Sequence, residues 1–137
     1  MKSLLYISRA TERASEAEVA KIIAAAQQRN RDVDLTGAII FTGERFAQFL
    51  EGPPDALDAV MSSIARDDRH RDIKLLHVGR QSVRRFPDWE MAYCGPSSFV
   101  DRHIRPLFQD LTDAERIDGV DALVELMWAL NSTRAVA

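Results

Sequence analysis

Gln48 stands in the middle of Arg45-Phe46-Ala47-Gln48-Phe49-Leu50-Glu51, a run that otherwise has the make-up of a buried strand. A buried amide without a partner costs roughly 1–3 kcal/mol, so this side chain calls for one. Two more neutral polar residues sit in apolar settings: Tyr6, within Leu4-Leu5-Tyr6-Ile7-Ser8, and Asn30, at the end of an amphipathic stretch. A phenol donates or accepts a hydrogen bond, and a primary amide offers donors at one end and an acceptor at the other. None of the three carries a charge that would drive hydrolysis, but together they suit the polar edge of a flat heteroaromatic ligand. Turning the Gln48 amide end for end would reverse which group meets a ligand carbonyl. Taken singly, each has an ordinary explanation as well: a Tyr–Gln hydrogen bond buried for packing and an asparagine capping a helix C-terminus.

The elements that must position these groups are legible. Leu4 to Ser8 is a strand-like run with Tyr6 and Ser8 on one face and Leu5 and Ile7 on the other. Ser15-Glu16-Ala17-Glu18 is a capping box, and Val19, Ile22, Ile23 and Ala26 follow at helical spacing. Leu35–Thr42 and Arg45–Glu51 read as a hairpin about Gly43. Gly52-Pro53-Pro54 then opens a second helix with the stripe Leu57, Val60, Met61, Ile64. Ile73–Gly79 and Asp88–Tyr93 read as strands separated by the basic stretch Arg80–Arg85. Two helical segments follow, over 99–111 and 112–131, the second opened by the capping box Thr112-Asp113-Ala114-Glu115.

The order β-α-β-β-α-β-β predicts an α+β, ferredoxin-like sandwich with both intervening helices on one sheet face. Its first and third strands are neighbours about 4.8 Å apart, which sets Tyr6 beside Gln48. The third strand is apolar on both faces, Phe46 and Leu50 on one and Ala47 and Phe49 on the other. Both faces therefore need cover, and the two C-terminal helices are expected to supply the second one. The last helix is apolar nearly all round, from Val120 to Leu130, more than one sheet face requires. That surplus predicts contact with a second subunit or a partner.

Other polar groups have solvated or packing roles as their simplest reading. Arg69 and His70 lie in the mixed charge run Asp67-Asp68-Arg69-His70-Arg71, where a phosphate site competes with a solvated turn. Trp89 and Met91 flank Glu90 on one strand face and fill a core on the plainest view. Ala24, Ala25 and Ala26 either make room between the helices or reflect helix propensity. The chain has no P-loop, no glycine-rich dinucleotide turn, no Gly-x-Ser-x-Gly and no His-x-x-x-His.

Length and composition set the outer bounds. With 137 residues, 46% of them hydrophobic and 28% charged, the chain reads as one globular domain. A net charge of −3 and a pI near 5.6 argue against nucleic acid or an anionic membrane as partner. The apolar stretches Val19–Ala26 and Ala122–Leu130 are too short to span a membrane, and Met1-Lys2-Ser3 does not begin a signal peptide. Cys94 is the only cysteine, so no internal disulfide or cysteine-rich metal site forms. A cytoplasmic, non-enzymatic protein is the expectation.

Six short motifs in order then carry a resemblance. They are Tyr6-Ile7-Ser8, Arg29-Asn30, Leu35-Thr36-Gly37, Phe46 through Pro53, Asp68-Arg69-His70, and Arg85 through Met91. In this order and spacing they resemble the BLUF domain, a flavin-binding blue-light sensor, over about Leu4 to Met91. The resemblance implies FAD between the first two helices, with FMN or riboflavin able to stand in its place. Tyr6 would be the photoactive tyrosine, giving an electron and a proton toward the flavin through Gln48, and Gln48 the switching glutamine that afterwards donates to the flavin C4 carbonyl. Asn30 would bond the pyrimidine edge, beside Arg29, where several relatives carry Asn or His. Ser8 would lie near the tyrosine and the fifth strand, Trp89 and Met91 would relay the change, and Arg69 and His70 would sit near the phosphate or ribityl end. Residues 1–95 would form the photosensor core and 96–137 a helical extension of the same globular unit. With no room for a cyclase or phosphodiesterase domain, the output would pass to an effector protein in trans or through a homo-oligomer built on the C-terminal helices. An RNA-binding module is disfavoured by the absence of an RNP1 pattern in the third strand and by the acidic pI. An acylphosphatase-like hydrolase is disfavoured because Arg9 and Arg13 lack a glycine-rich anion cradle.

Overall fold

The structure, a computed structural model, describes residues 1–87, 92–94 and 98–136, with 92–94 and 131–136 described through their backbone alone. Five strands form one sheet in the order β4-β1-β3-β2-β5: β1 Lys2–Ala10, β2 Thr36–Phe41, β3 Arg45–Gly52, β4 His70–Arg80 and β5 Ala92–Cys94. Helix α1 (Glu16–Asp32) joins β1 to β2, and α2 (Pro54–Ala65) joins β3 to β4. The four antiparallel strands have the ferredoxin-like order that the sequence predicts, and β5 adds to the β2 edge in parallel. Gly37 lets β2 approach β3 closely, since a Cβ there would fall 1.9 Å from the Phe49 carbonyl oxygen.

Alternation along the strands divides the apolar residues into two cores. On one face Leu4, Tyr6, Ile39, Phe46 and Leu50 pack against Val19, Ile23 and Ala26 of α1 and Leu57 and Val60 of α2. On the other, Leu5, Ile7, Ala38, Ile40, Ala47 and Phe49 pack against α3 (Ser98–Ile104), a 3₁₀ turn (Arg105–Phe108) and α4 (Asp113–Val136). The expected double cover of the sheet is present. Helix α4 buries Val120, Leu123, Val124 and Met127, while Ile117 and Trp128 stay partly in solvent.

Local signals explain the element ends. The Ser15 hydroxyl accepts from the Glu18 N–H at 3.2 Å, and Thr112 and Glu115 form a reciprocal capping box with both bonds at 3.1 Å. Asn30 is not the cap of α1. The helix runs to Asp32, Asp34 takes the left-handed conformation at φ 61°, and the Leu35 N–H returns to the Asn30 carbonyl in a Schellman-type closure. The helix expected over 99–111 ends at Ile104, because Pro106 lacks an N–H and disfavours helical backbone at the residue before it. Strand β4 begins at His70, three residues earlier than expected, so His70 and Arg71 of the charge run are strand while residues 67–69 form the turn before it. Of the strand expected over 88–93, only its end is seen in β5; residues 88–91, with Trp89 and Met91, lie outside the described residues.

Candidate functional site

Tyr6 and Gln48 are directly opposed in the antiparallel β1–β3 pair. Both side chains point to the α1/α2 face and are buried, and the Tyr6 hydroxyl donates to Gln48 Oε1 at 2.5 Å. Burial pushes the Tyr6 phenol well above its ordinary pKa; the nearby Arg29 guanidinium opposes that shift and Asp67 adds to it. The phenol therefore keeps its proton through the neutral range.

Above this pair lies a cavity of about 250 Å³ between the two helices. Tyr6, Ile39, Phe46 and Gln48 line it from the sheet, Ile22, Ala25, Ala26 and Arg29 from α1, and Ser63 and Ile64 from α2, with Asp67, Arg69 and His70 beyond. The small Ala25 and Ala26 side chains leave the space that a larger residue would fill. Arg29 reaches Asn30 Oδ1 through Nε at 3.2 Å, and among the described residues no carboxylate pairs with it. Burial lowers the Arg29 pKa, with Tyr6 opposing the shift. Toward Asp67 and Arg69 the cavity meets a second, more open groove of about 730 Å³ lined by Glu12, Arg13, Ser15, Glu18, Arg66 and Asp68.

The other expected site residues divide. His70 is held twice, Nε2 by the Ile64 carbonyl and Nδ1 by the Ser8 hydroxyl, both at 2.7 Å. A carbonyl only accepts, so Nε2 carries the proton, and in the neutral ring Ser8 donates to Nδ1. Ser8 is thus tied to His70, while its expected neighbours Trp89 and Met91 lie outside the described residues. Arg69 forms a two-toothed pair with Asp67, with bonds of 2.9 and 2.7 Å, and also contacts Glu18 at 3.3 Å. Those carboxylates raise the Arg69 pKa, and Arg69 in turn lowers that of Asp67. Its charge is already answered, so it is a poorer anion receptor than Arg29. Asn30 is fully buried and lines a separate depression with Thr36, Arg84 and Pro87, and its Oδ1 accepts from Arg29, which lines the main cavity.

A family model described as sensors of blue light using FAD matches residues 1–92. The chain belongs to the BLUF family. The family's cofactor is a flavin, FAD, and its members sense blue light with it. A photoactivated adenylate cyclase subunit beta from Euglena longa is 33% identical over 92 residues, which is 66% of this chain and 11% of that protein. The blue light- and temperature-regulated antirepressor BluF of Escherichia coli (strain K12) is 30% identical over 86 residues, 63% of this chain and 21% of that one. The chain therefore spans only 11% and 21% of the length of these two curated relatives. Among solved structures, the dark state of BlrB, a BLUF protein, superposes with a TM-score of 0.71 at 30% identity, covering 87% of this chain and 90% of that one. Klebsiella pneumoniae BlrP1 with FMN and cyclic diGMP superposes at 0.64 and 30% identity, over 69% of this chain and 25% of that one.

The residues present fit a flavin. A half-open volume of about 250 Å³ falls below the roughly 300–1,000 Å³ of typical whole-ligand pockets, room for the ring portion of a dinucleotide, with the adjoining groove beside it for the remainder. An amide and a phenol at its floor and, at its wall, a guanidinium with no carboxylate against it among the described residues supply directional polar partners among apolar surfaces, the composition such sites need. Asp67, Ser63 and Ile64 were not anticipated from the sequence. They come from the end of α2 and the turn after it, where nothing in their types sets them apart.

Proposed function

We propose that this BLUF domain works as a photoswitch in which Tyr6 is the electron and proton donor and Gln48 the group that changes state. The observation that carries this reading is the short, buried Tyr6–Gln48 hydrogen bond on the floor of the cavity. The bound flavin supplies absorption of blue light and, once excited, an electron acceptor. Burial keeps Tyr6 protonated in the dark, so its O–H stands ready to release a proton along the bond to Gln48 Oε1. The amide then rotates or changes tautomer, and its donor and acceptor ends exchange places. Arg29, with no described carboxylate against it, offers its charge at the cavity wall, and Asn30 steadies Arg29 through the bond to Nε. His70, fixed by Ser8 and the Ile64 carbonyl, closes the Tyr6 side, its ring 6.0 Å from the tyrosine ring.

Each hydrogen bond exchanged is worth about 1 kcal/mol, enough to shift a bistable element by a modest factor. Residues 1–95 act as the sensor, and the helical extension over 96–137 is the element that responds. The partly exposed Ile117 and Trp128 of α4 support an output surface for an effector protein in trans or a second copy of the chain. Trp89 and Met91 belong to the relay on this reading, since they lie between Phe86 and β5 in the chain. The test is to load Tyr6→Phe and Gln48→Ala with FAD and illuminate them. Both variants bind flavin and neither gives the reversible red shift; a normal photocycle in either one refutes the assigned roles.

A further inference from the structure

Glu51 is the next-to-last residue of β3, three residues beyond Gln48 and on the opposite face, and it is fully buried. Its carboxylate collects four donors. Oε2 accepts from the Thr36 hydroxyl at 3.0 Å and the Phe86 N–H at 2.7 Å, and Oε1 accepts from the Arg85 N–H at 2.7 Å and the Gln81 amide at 2.5 Å. Arg84 reinforces the same junction, reaching the Thr36 hydroxyl at 2.8 Å, the Glu51 carbonyl at 3.2 Å and the Asp34 carbonyl at 2.9 Å. The chain leaving β4 is therefore clamped to the ends of β2 and β3. An ionised carboxylate is an acceptor with about four lone-pair sites, and four donors occupy them.

The clamp orients Phe86. Its buried ring lies 5.3 Å from Phe49, the neighbour of Gln48 on β3, and stacks on Trp128 of α4 at 5.6 Å and 16°. Trp128 is 38% exposed, so the stack runs from the centre of the sheet to the surface of the last helix. We propose that Glu51 is a positioning residue that couples the Gln48 site to α4, by holding the 81–86 turn so that Phe86 joins Phe49 to Trp128. This rests on the photoswitch reading above. A change on β3 reaches Phe86 both through Phe49 and through the clamped turn, and Phe86 passes it to Trp128.

Glu51→Gln is close to isosteric but points an NH₂ at groups that themselves donate, so the clamp opens without loss of volume. Trp128→Leu breaks the far end of the stack at a partly exposed position. Hydrogen exchange of the α4 amides is followed in FAD-loaded protein, dark and under blue light, together with the flavin spectrum. The native chain shows a light–dark difference in α4. Both variants keep the flavin red shift and lose most of that difference. A native-sized difference in either folded variant overturns the proposal, as does faster exchange that is equal in both light states and preserves the difference, the signature of a merely structural role. If Glu51→Gln does not fold, Trp128→Leu decides alone. A native red shift without any α4 difference overturns the coupling and leaves the photoswitch standing, whereas a native chain without the red shift removes both.

Discussion

On the α3/α4 face of the sheet, Leu5, Phe49, Phe86 and Leu123 close into a continuous core, whereas on the α1/α2 face the packing stops short above Tyr6 and Gln48 and leaves about 250 Å³. Both faces bury polar groups, and what differs is the space beside them. On the packed face they sit in closed packing: Glu51 takes four donors, and Asp101 accepts from Thr42 at 2.7 Å and from Arg45 at 2.6 Å, with Arg45 Nε left without a partner among the described residues. On the open face Tyr6, Gln48, Arg29 and His70 all line the space. Protein interiors pack to crystal-like density, so a gap walled by such groups marks a place built for a ligand. One sheet thus holds a receptive face and a load-transmitting face back to back, with β3 belonging to both.

The contrast is broken most severely by truncation. Phe49→Ala on the packed face is expected to cost about 4 kcal/mol in the flavin-free protein, while Ile22→Ala, at the half-buried cavity wall, costs about 1 kcal/mol. Urea unfolding measures both, and equal losses would erase the distinction between the faces. Ligand makes the next difference. FAD at a hundredfold excess over its Kd adds about 2.7 kcal/mol to native stability. Ala26→Leu fills the cavity and abolishes that gain, leaving a folded protein without flavin; a variant that still purifies yellow contradicts the assignment of the cavity.

The smallest effect comes from His77, whose Nε2 lies 3.0 Å from the Ser3 hydroxyl. Burial, with Arg85 and then Arg116, holds its pKa below the ordinary 6.5, and Asp121 opposes the shift. The unfolded chain therefore takes up this proton near pH 6.5 and the folded chain only at lower pH. The contribution of His77 is fully present above pH 6.5 and is lost as pH falls from there through the folded value. His77→Gln flattens that part of a stability–pH profile, and an unchanged slope removes His77 as its source.

Much of this was legible in the sequence because it rests on local rules. The capping box at Thr112, the two-faced alternation of β3 and the order of elements all led to the architecture found, and the buried-amide argument at Gln48 led to Tyr6. What escaped has physical reasons. Asn30 reads as a helix cap by type, but the left-handed position fell to Asp34, which leaves Asn30 inside the last turn beside Arg29. Ser8 met His70 because β4 starts early, a strand end that the charge run 67–71 concealed. Glu51 was open to the same reasoning as Gln48, being polar at the end of an apolar strand. Two of its four partners, however, are backbone N–H groups more than thirty residues away, and these have no signature in residue type.

On this reading the cavity holds a flavin whose surroundings Gln48 rearranges under light. A light-minus-dark absorption spectrum of the purified FAD-loaded protein tests it most directly. The expected result is a yellow protein whose flavin bands move to the red under blue light and return in the dark. A protein that takes up no flavin, or whose flavin bands stay in place under illumination, would contradict it.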